Sequence, residues 1–114
     1  METTRHADRR EMLPGTLDML ILKTLTRGAQ HGYGIARHIR TVSDEVLRVE
    51  EGSLYPALQR LQVKGWITSE WQMSPQKRRA RYYRLTPAGI KQLQAEESAF
   101  EQTIRAIARV MRPA

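Results

Sequence analysis

Two groups of side chains in this sequence have the types and spacing to bind a polyanion and to read it. Tyr55, Pro56, Gln59 and Arg60 recur at a helical interval, with Ser53 just ahead of them. On one helix face, Gln and Arg can make bidentate hydrogen bonds to adenine and guanine edges. The hydroxyls of Ser53 and Tyr55 can donate to phosphate, and the Tyr55 ring can touch a thymine methyl. The second group lies between Gln76 and Arg84, where Lys77, Arg78, Arg79, Arg81 and Arg84 stand beside Tyr82 and Tyr83 with no acidic residue. The 114-residue chain has 19 Lys and Arg against 12 Asp and Glu, a net charge of +7, and without these five the balance is 14 against 12. Such a cluster suits a phosphate backbone, because neutralising phosphates releases condensed counterions. The plain alternatives are a solvated charge run, a Tyr55 that packs on a neighbouring hairpin, and an Arg60 paired with Glu50 or Glu51.

Other chemistries find little support. There is no cysteine, which removes thiolate nucleophiles and disulfides and fits a reducing compartment. There is no Gly-rich phosphate loop. Glu50-Glu51 and Glu96-Glu97 are adjacent carboxylates in solvated settings rather than an apolar pair. His6, His31 and His38 are the only histidines, and their spacing matches no common metal site. No enzyme activity, metal or cofactor is expected. The longest apolar run, Met19 to Leu22, falls far short of the ~20 residues of a membrane span, so a cytoplasmic protein is expected.

The elements that must position these groups follow from periodicity. Residues 1–12 form a polar arm or a short extra helix. Thr16 can cap a helix in which Leu17, Leu20, Ile21 and Leu25 share a face, and Gly28 ends it. A second helix runs from Gly32-Tyr33 to Val42 with Ile35, Ala36 and Ile39 inward, and its first turn, with His31 and Tyr33, offers N–H groups that suit a phosphate. Ser43 to Glu51 is an acidic connector in which Val49 can form a short strand. The third helix starts at Gly52-Ser53, with Ser53 as N-cap and Pro56 in the first turn, and buries Leu54, Ala57, Leu58 and Leu61.

Trp66 to Gln72 and Arg81 to Leu85 read as the strands of a hairpin with a long basic tip. One of Tyr82 and Tyr83 must face inward, and Tyr83 with Leu85 is expected to tie the hairpin to the core. Trp66 and Trp71 read as structural cover at the hairpin base, with a ligand pocket as the lesser alternative. Thr86 and Pro87 then start a helix that can reach Met111. Along it Ile90, Leu93, Glu97, Phe100, Ile104, Ile107 and Met111 step by 3 and 4 residues, a heptad seam with one polar interruption. A helix of that length outruns so small a domain, so its far half is expected to pack on a second copy.

Helix, helix, helix, hairpin, long helix is the layout of a winged helix-turn-helix. The fold class expected is therefore mostly α with a small β-hairpin: a winged helix-turn-helix over 13–86, followed by a dimerisation helix over 87–114. Helix 52–64 would enter a major groove, and the 72–84 hairpin would be a basic wing on the backbone or in the minor groove.

The chain also resembles the PadR family of bacterial transcriptional regulators. The resemblance rests on Gly15-Thr16-Leu17-Asp18, His31-Gly32-Tyr33-Gly34-Ile35, Gly52-Ser53-Leu54-Tyr55-Pro56-Ala57-Leu58, Leu61 with Gly65-Trp66-Ile67, and Arg81-Tyr82-Tyr83 with Leu85-Thr86-Pro87-Ala88-Gly89. It spans residues 13 to 111 and implies a homodimeric repressor of the short-tailed branch, dimerising through its last helix. It further implies DNA contacts from Tyr33, Ser53, Tyr55 and the basic wing residues, nucleoid association when bound, and room for a small-molecule effector. Some short-tailed members hold flat aromatic drugs with a tryptophan on the last helix, where this chain has Phe100 and no Trp. A pseudo-palindromic double-stranded operator is the expected partner. The alternative is a small basic RNA-binding or ribosome-associated domain, which would want more exposed aromatics on one surface.

Overall fold

The computed structural model describes residues 14–113, so the expected arm over 1–12 lies outside the described residues. Among the described residues, four helices and three short strands follow in the order α1 (Pro14–Leu25), β1 (Gln30–His31), α2 (Gly32–Val42), α3 (Glu51–Val63), β2 (Ile67–Met73), β3 (Arg79–Leu85) and α4 (Pro87–Met111). The strands form one antiparallel sheet in the order β1-β3-β2, with Ile67 opposite Leu85, Ser69 opposite Tyr83 and Trp71 opposite Arg81. This is the winged-helix arrangement with a long C-terminal helix.

The core forms where the apolar stripes of the first three helices meet the base of the sheet. Ile21, Leu22, Ile35, Leu54, Leu58, Leu61 and Ile67 are the largest fully buried side chains, and Tyr83 and Leu93 close the cluster. Tyr83 is thus the inward tyrosine, and burial pushes its hydroxyl above the ordinary tyrosine value, with Arg81 lowering it and Tyr55 raising it. Leu85 is half-buried against the same cluster.

Several boundaries differ from the sequence expectation. Helix α1 opens at Pro14, so Thr16 lies inside it and is not its cap. Helix α3 starts at Glu51, and its N-cap residue Glu50 makes no side-chain capping bond. Ser53 is therefore the third helical residue, its own N–H bonded to the Glu50 carbonyl at 3.0 Å, and not the N-cap. The earlier start moves Pro56 into the second turn, where its missing N–H leaves the Gly52 carbonyl without its intrahelical donor. The connector 43–50 contains no strand, and Leu47 and Val49 instead pack against the core. The two-residue strand β1 is too short to show a period, and it adds a third strand beside the expected hairpin.

The junction between α3 and α4 sets the course of the last helix. Trp66 N–H bonds the Leu61 carbonyl and Gly65 N–H bonds the Gln62 carbonyl, a Schellman end with Gly65 at φ 78°. The Thr86 hydroxyl donates to the Gly65 carbonyl at 2.7 Å and accepts from Gly89 N–H at 3.0 Å, so one side chain caps α4 and fastens it to the end of α3. A Cβ built on Gly89 would run into the Trp66 carbonyl oxygen.

The seam on α4 divides. Leu93, 4% exposed, belongs to the core of its own domain, and Glu97 pairs with Lys23 of α1 at 2.9 Å. These two expected dimer residues face inward within one chain. Residues 98–113 are all exposed, with Phe100, Ile104, Ile107 and Met111 as an apolar row that no other described element covers.

Candidate nucleic-acid interface

The outward face of α3 is built by subtraction. Leu54, Ala57, Leu58 and Leu61 are buried, so helical geometry leaves Tyr55, Pro56, Gln59 and Arg60 on the exposed side. Gln59 has no side-chain bond among the described residues and keeps its full donor and acceptor set. Arg60 pairs with neither Glu50 nor Glu51. Its Nη2 lies 2.8 Å from Oδ1 of Asp18 on α1. Arg60 is half-exposed and Asp18 mostly buried, and the pair fixes one edge of the guanidinium while its other N–H groups have no partner among the described residues. Tyr55 lies over the start of α2, its ring so close to Gly32 that an added Cβ would meet the hydroxyl oxygen at 3.0 Å.

His31 has a structural task. Its Nδ1 accepts the Gly34 N–H at 3.0 Å, which caps α2 and removes one of the donors expected to be open for phosphate. Its ring also stacks at 6.4 Å on Tyr33 and meets Tyr82 edge-on at 5.3 Å. Tyr33 itself is well exposed. One turn further, Arg37 joins Tyr33, Arg48 and Tyr55 along a cleft of about 250 Å³ between α2 and α3. Arg37 and Arg48 were not among the expected contacts, although the four-residue step from Tyr33 to Arg37 is visible in the sequence.

The wing is tighter than its sequence suggested. Ser74 N–H donates to the Arg78 carbonyl, Lys77 N–H donates to the Ser74 carbonyl, each at 2.8 Å, and the Ser74 hydroxyl accepts from Arg78 N–H at 3.2 Å. Lys77 takes a left-handed φ of 64° in that turn. Lys77 and Arg78 therefore stand at a five-residue tip, while Arg79 and Arg81 already belong to β3. Alternation puts Arg79 and Arg81 on the face shared with Tyr83, and Tyr82 and Arg84 on the other, where Arg84 approaches Glu70 at 3.9 Å. Trp71 does not cover the core. It is 54% exposed, with the Arg79 and Arg81 guanidinium carbons 4.9 and 5.4 Å from its ring centroid.

The arrangement offers a polar helix face beside a cationic hairpin. Among the described residues no three His, Cys, Asp or Glu side chains gather to hold a metal, and no helix is long and apolar enough to cross a membrane.

Known proteins share this fold. A family described as the transcriptional regulator PadR-like family matches residues 21–95. A transcriptional regulator of Mycobacterium tuberculosis is 32% identical over 98 residues, covering 86% of this chain and 88% of that protein. A solved transcriptional regulator from Clostridium thermocellum superposes with a TM-score of 0.79 at 36% identity, covering 86% of this chain and 95% of that one. A PadR family regulator from Eggerthella lenta gives 0.72 at 29% identity, covering 88% and 85%.

Proposed function

This chain belongs to the PadR-like family of transcriptional regulators, and on that premise we propose that it is a repressor acting as a homodimer on a pseudo-palindromic duplex operator. Its fold is that of a DNA-binding transcriptional regulator. The observation that carries the finer reading is the exposed face of α3, where Tyr55, Gln59 and Arg60 stand clear of the core beside a basic wing whose Lys77, Arg78, Arg79 and Arg81 meet no carboxylate among the described residues. In this reading α3 lies in the major groove with Gln59 and Arg60 toward base edges, and Asp18 holds Arg60 in the orientation it uses. Lys77 and Arg78 at the wing tip neutralise backbone phosphates, and Tyr33 with Arg37 adds contacts from α2. Phe100, Ile104, Ile107 and Met111 join two copies, which sets two α3 helices roughly 34 Å apart, one DNA turn.

The test is selection of bound sequences from a random duplex pool, followed by gel shifts on the enriched duplex. Equal binding to enriched and scrambled duplexes at moderate salt defeats the reading. Two variants separate reading from anchoring. Gln59→Ala should lose about 1–3 kcal/mol of discrimination at one base pair in each half-site and little affinity for scrambled DNA. Arg78→Ala should weaken binding to both duplexes alike and flatten the slope of log affinity against log salt by about one per protomer. An unchanged slope removes Arg78 from the phosphate contacts.

A further inference from the structure

Trp71 is an exposed tryptophan with no core to cover. Its row on the sheet begins inside the core at Ile67, passes the half-buried Ser69 and emerges at Trp71 and Met73, both exposed. What Trp71 touches is charge: the guanidinium groups of Arg79 and Arg81, both within the ~6 Å reach of a cation–π contact. These two arginines differ from others of the domain. Arg40, Arg60 and Arg84 each stand near a carboxylate, whereas among the described residues neither Arg79 nor Arg81 does. Two like charges two residues apart on one face repel, and the negative face of a shared ring offsets part of that repulsion without neutralising either.

The cluster is also tied to α3. Arg81 Nε donates to the Ser69 hydroxyl oxygen at 2.9 Å, and that hydroxyl donates to Oε1 of Gln62 at 2.9 Å. Gln62 sits in the last turn of α3. We propose that Trp71 is a positioning residue for DNA binding, holding Arg79 and Arg81 as a pre-set cationic pair, and that the Gln62–Ser69–Arg81 chain fixes this pair relative to α3. The inference rests on the DNA-binding function above. Its physical basis is preorganisation: long side chains held in place before binding lose less rotamer freedom on meeting phosphate. A positioning role differs from a contact role, because the number of phosphates neutralised stays the same when the ring is removed.

The test uses the full chain, the duplex enriched by the wild-type protein, and the variants Trp71→Phe, Trp71→Leu, Gln62→Leu, Arg81→Ala and the combination of the last two. Trp71→Leu keeps apolar bulk without the aromatic face and should weaken binding on the order of ten-fold, with an unchanged salt slope and an unchanged melting temperature. Trp71→Phe should recover most of that loss. Gln62→Leu and Arg81→Ala should be non-additive in a double-mutant cycle. In the wild-type protein, the δ-methylene protons of Arg79 and Arg81 should show upfield ring-current shifts by NMR, a readout that depends on no variant. Full-strength binding by Trp71→Leu, equal losses in the Phe and Leu variants, a strictly additive cycle, or unshifted arginine protons would each overturn the inference. A pool in which the wild-type protein enriches no sequence overturns the proposed function instead, and the NMR shifts still report on the stack by itself.

Discussion

Phe100→Asp should yield a folded monomer that no longer holds the enriched duplex. Phe100 is 44% exposed within its own chain and lies beyond the point where α4 leaves the domain, so little intrachain packing depends on it. In the proposed dimer the same side chain sits in a seam with Ile104, Ile107 and Met111, where a carboxylate would be buried without a partner. The lost aromatic burial and the unpaired charge cost about 3 kcal/mol or more per copy. A symmetric interface carries two copies, so about 6 kcal/mol is at stake, a weakening of roughly four orders of magnitude in the dimer dissociation constant. Sedimentation equilibrium reads the association directly, and circular dichroism verifies the fold. A dimer that survives the substitution moves the interface elsewhere.

Gly89→Ala should destabilise the domain by about 2–3 kcal/mol, although alanine is the better helix former. Helix propensity alone favours the substitution by about 1 kcal/mol. Against this stands the Trp66 carbonyl oxygen, which occupies the place of the new Cβ. The obstacle is backbone, held by the Schellman end of α3 and by the Thr86 N–H that bonds the same oxygen at 3.1 Å, so it cannot rotate aside as a side chain would. Either α4 lifts off the junction or the junction opens. Gly15→Ala in α1 is the control, since nothing lies within 4 Å of its added Cβ, and it should be neutral or mildly stabilising. Urea denaturation of both variants tests the contrast, and equal midpoints for the two would show that the junction yields.

The sequence carried the helices because apolar residues at helical spacing have few other uses in a chain this size, and Ile35, Ile39, Leu54, Leu58 and Leu61 are buried as their spacing predicts. Thr86-Pro87 was legible for a local reason, since helix capping is decided within a few residues. What escaped was set by residues distant in the chain. Asp18 meets Arg60 across 42 positions, and Gln62 meets Arg81 only through Ser69. Trp71 looked like core cover because tryptophans usually are, and only the strand register shows that its row has run past the edge of the core. Leu93 and Phe100 fall at equivalent seam positions, yet one is buried in its own domain and the other is exposed, because among the described residues α1 lies alongside only the first half of α4. Ser53 resembles a cap because Gly52-Ser53 with Pro56 three residues on has the look of a helix start, whereas Glu51 already lies in the helix.

From residue 98 onward α4 is a segment of about four turns that no other described element covers, which is shorter than, or close to, the length at which an isolated helix holds together in water. In a lone chain it survives only by propagation from the turns anchored through Leu93 and the Lys23–Glu97 pair, and its amides should exchange with solvent increasingly fast toward Met111. In the proposed dimer, association covers the same residues, so backbone order at this end and self-assembly would be one equilibrium, with protein concentration a determinant of secondary structure.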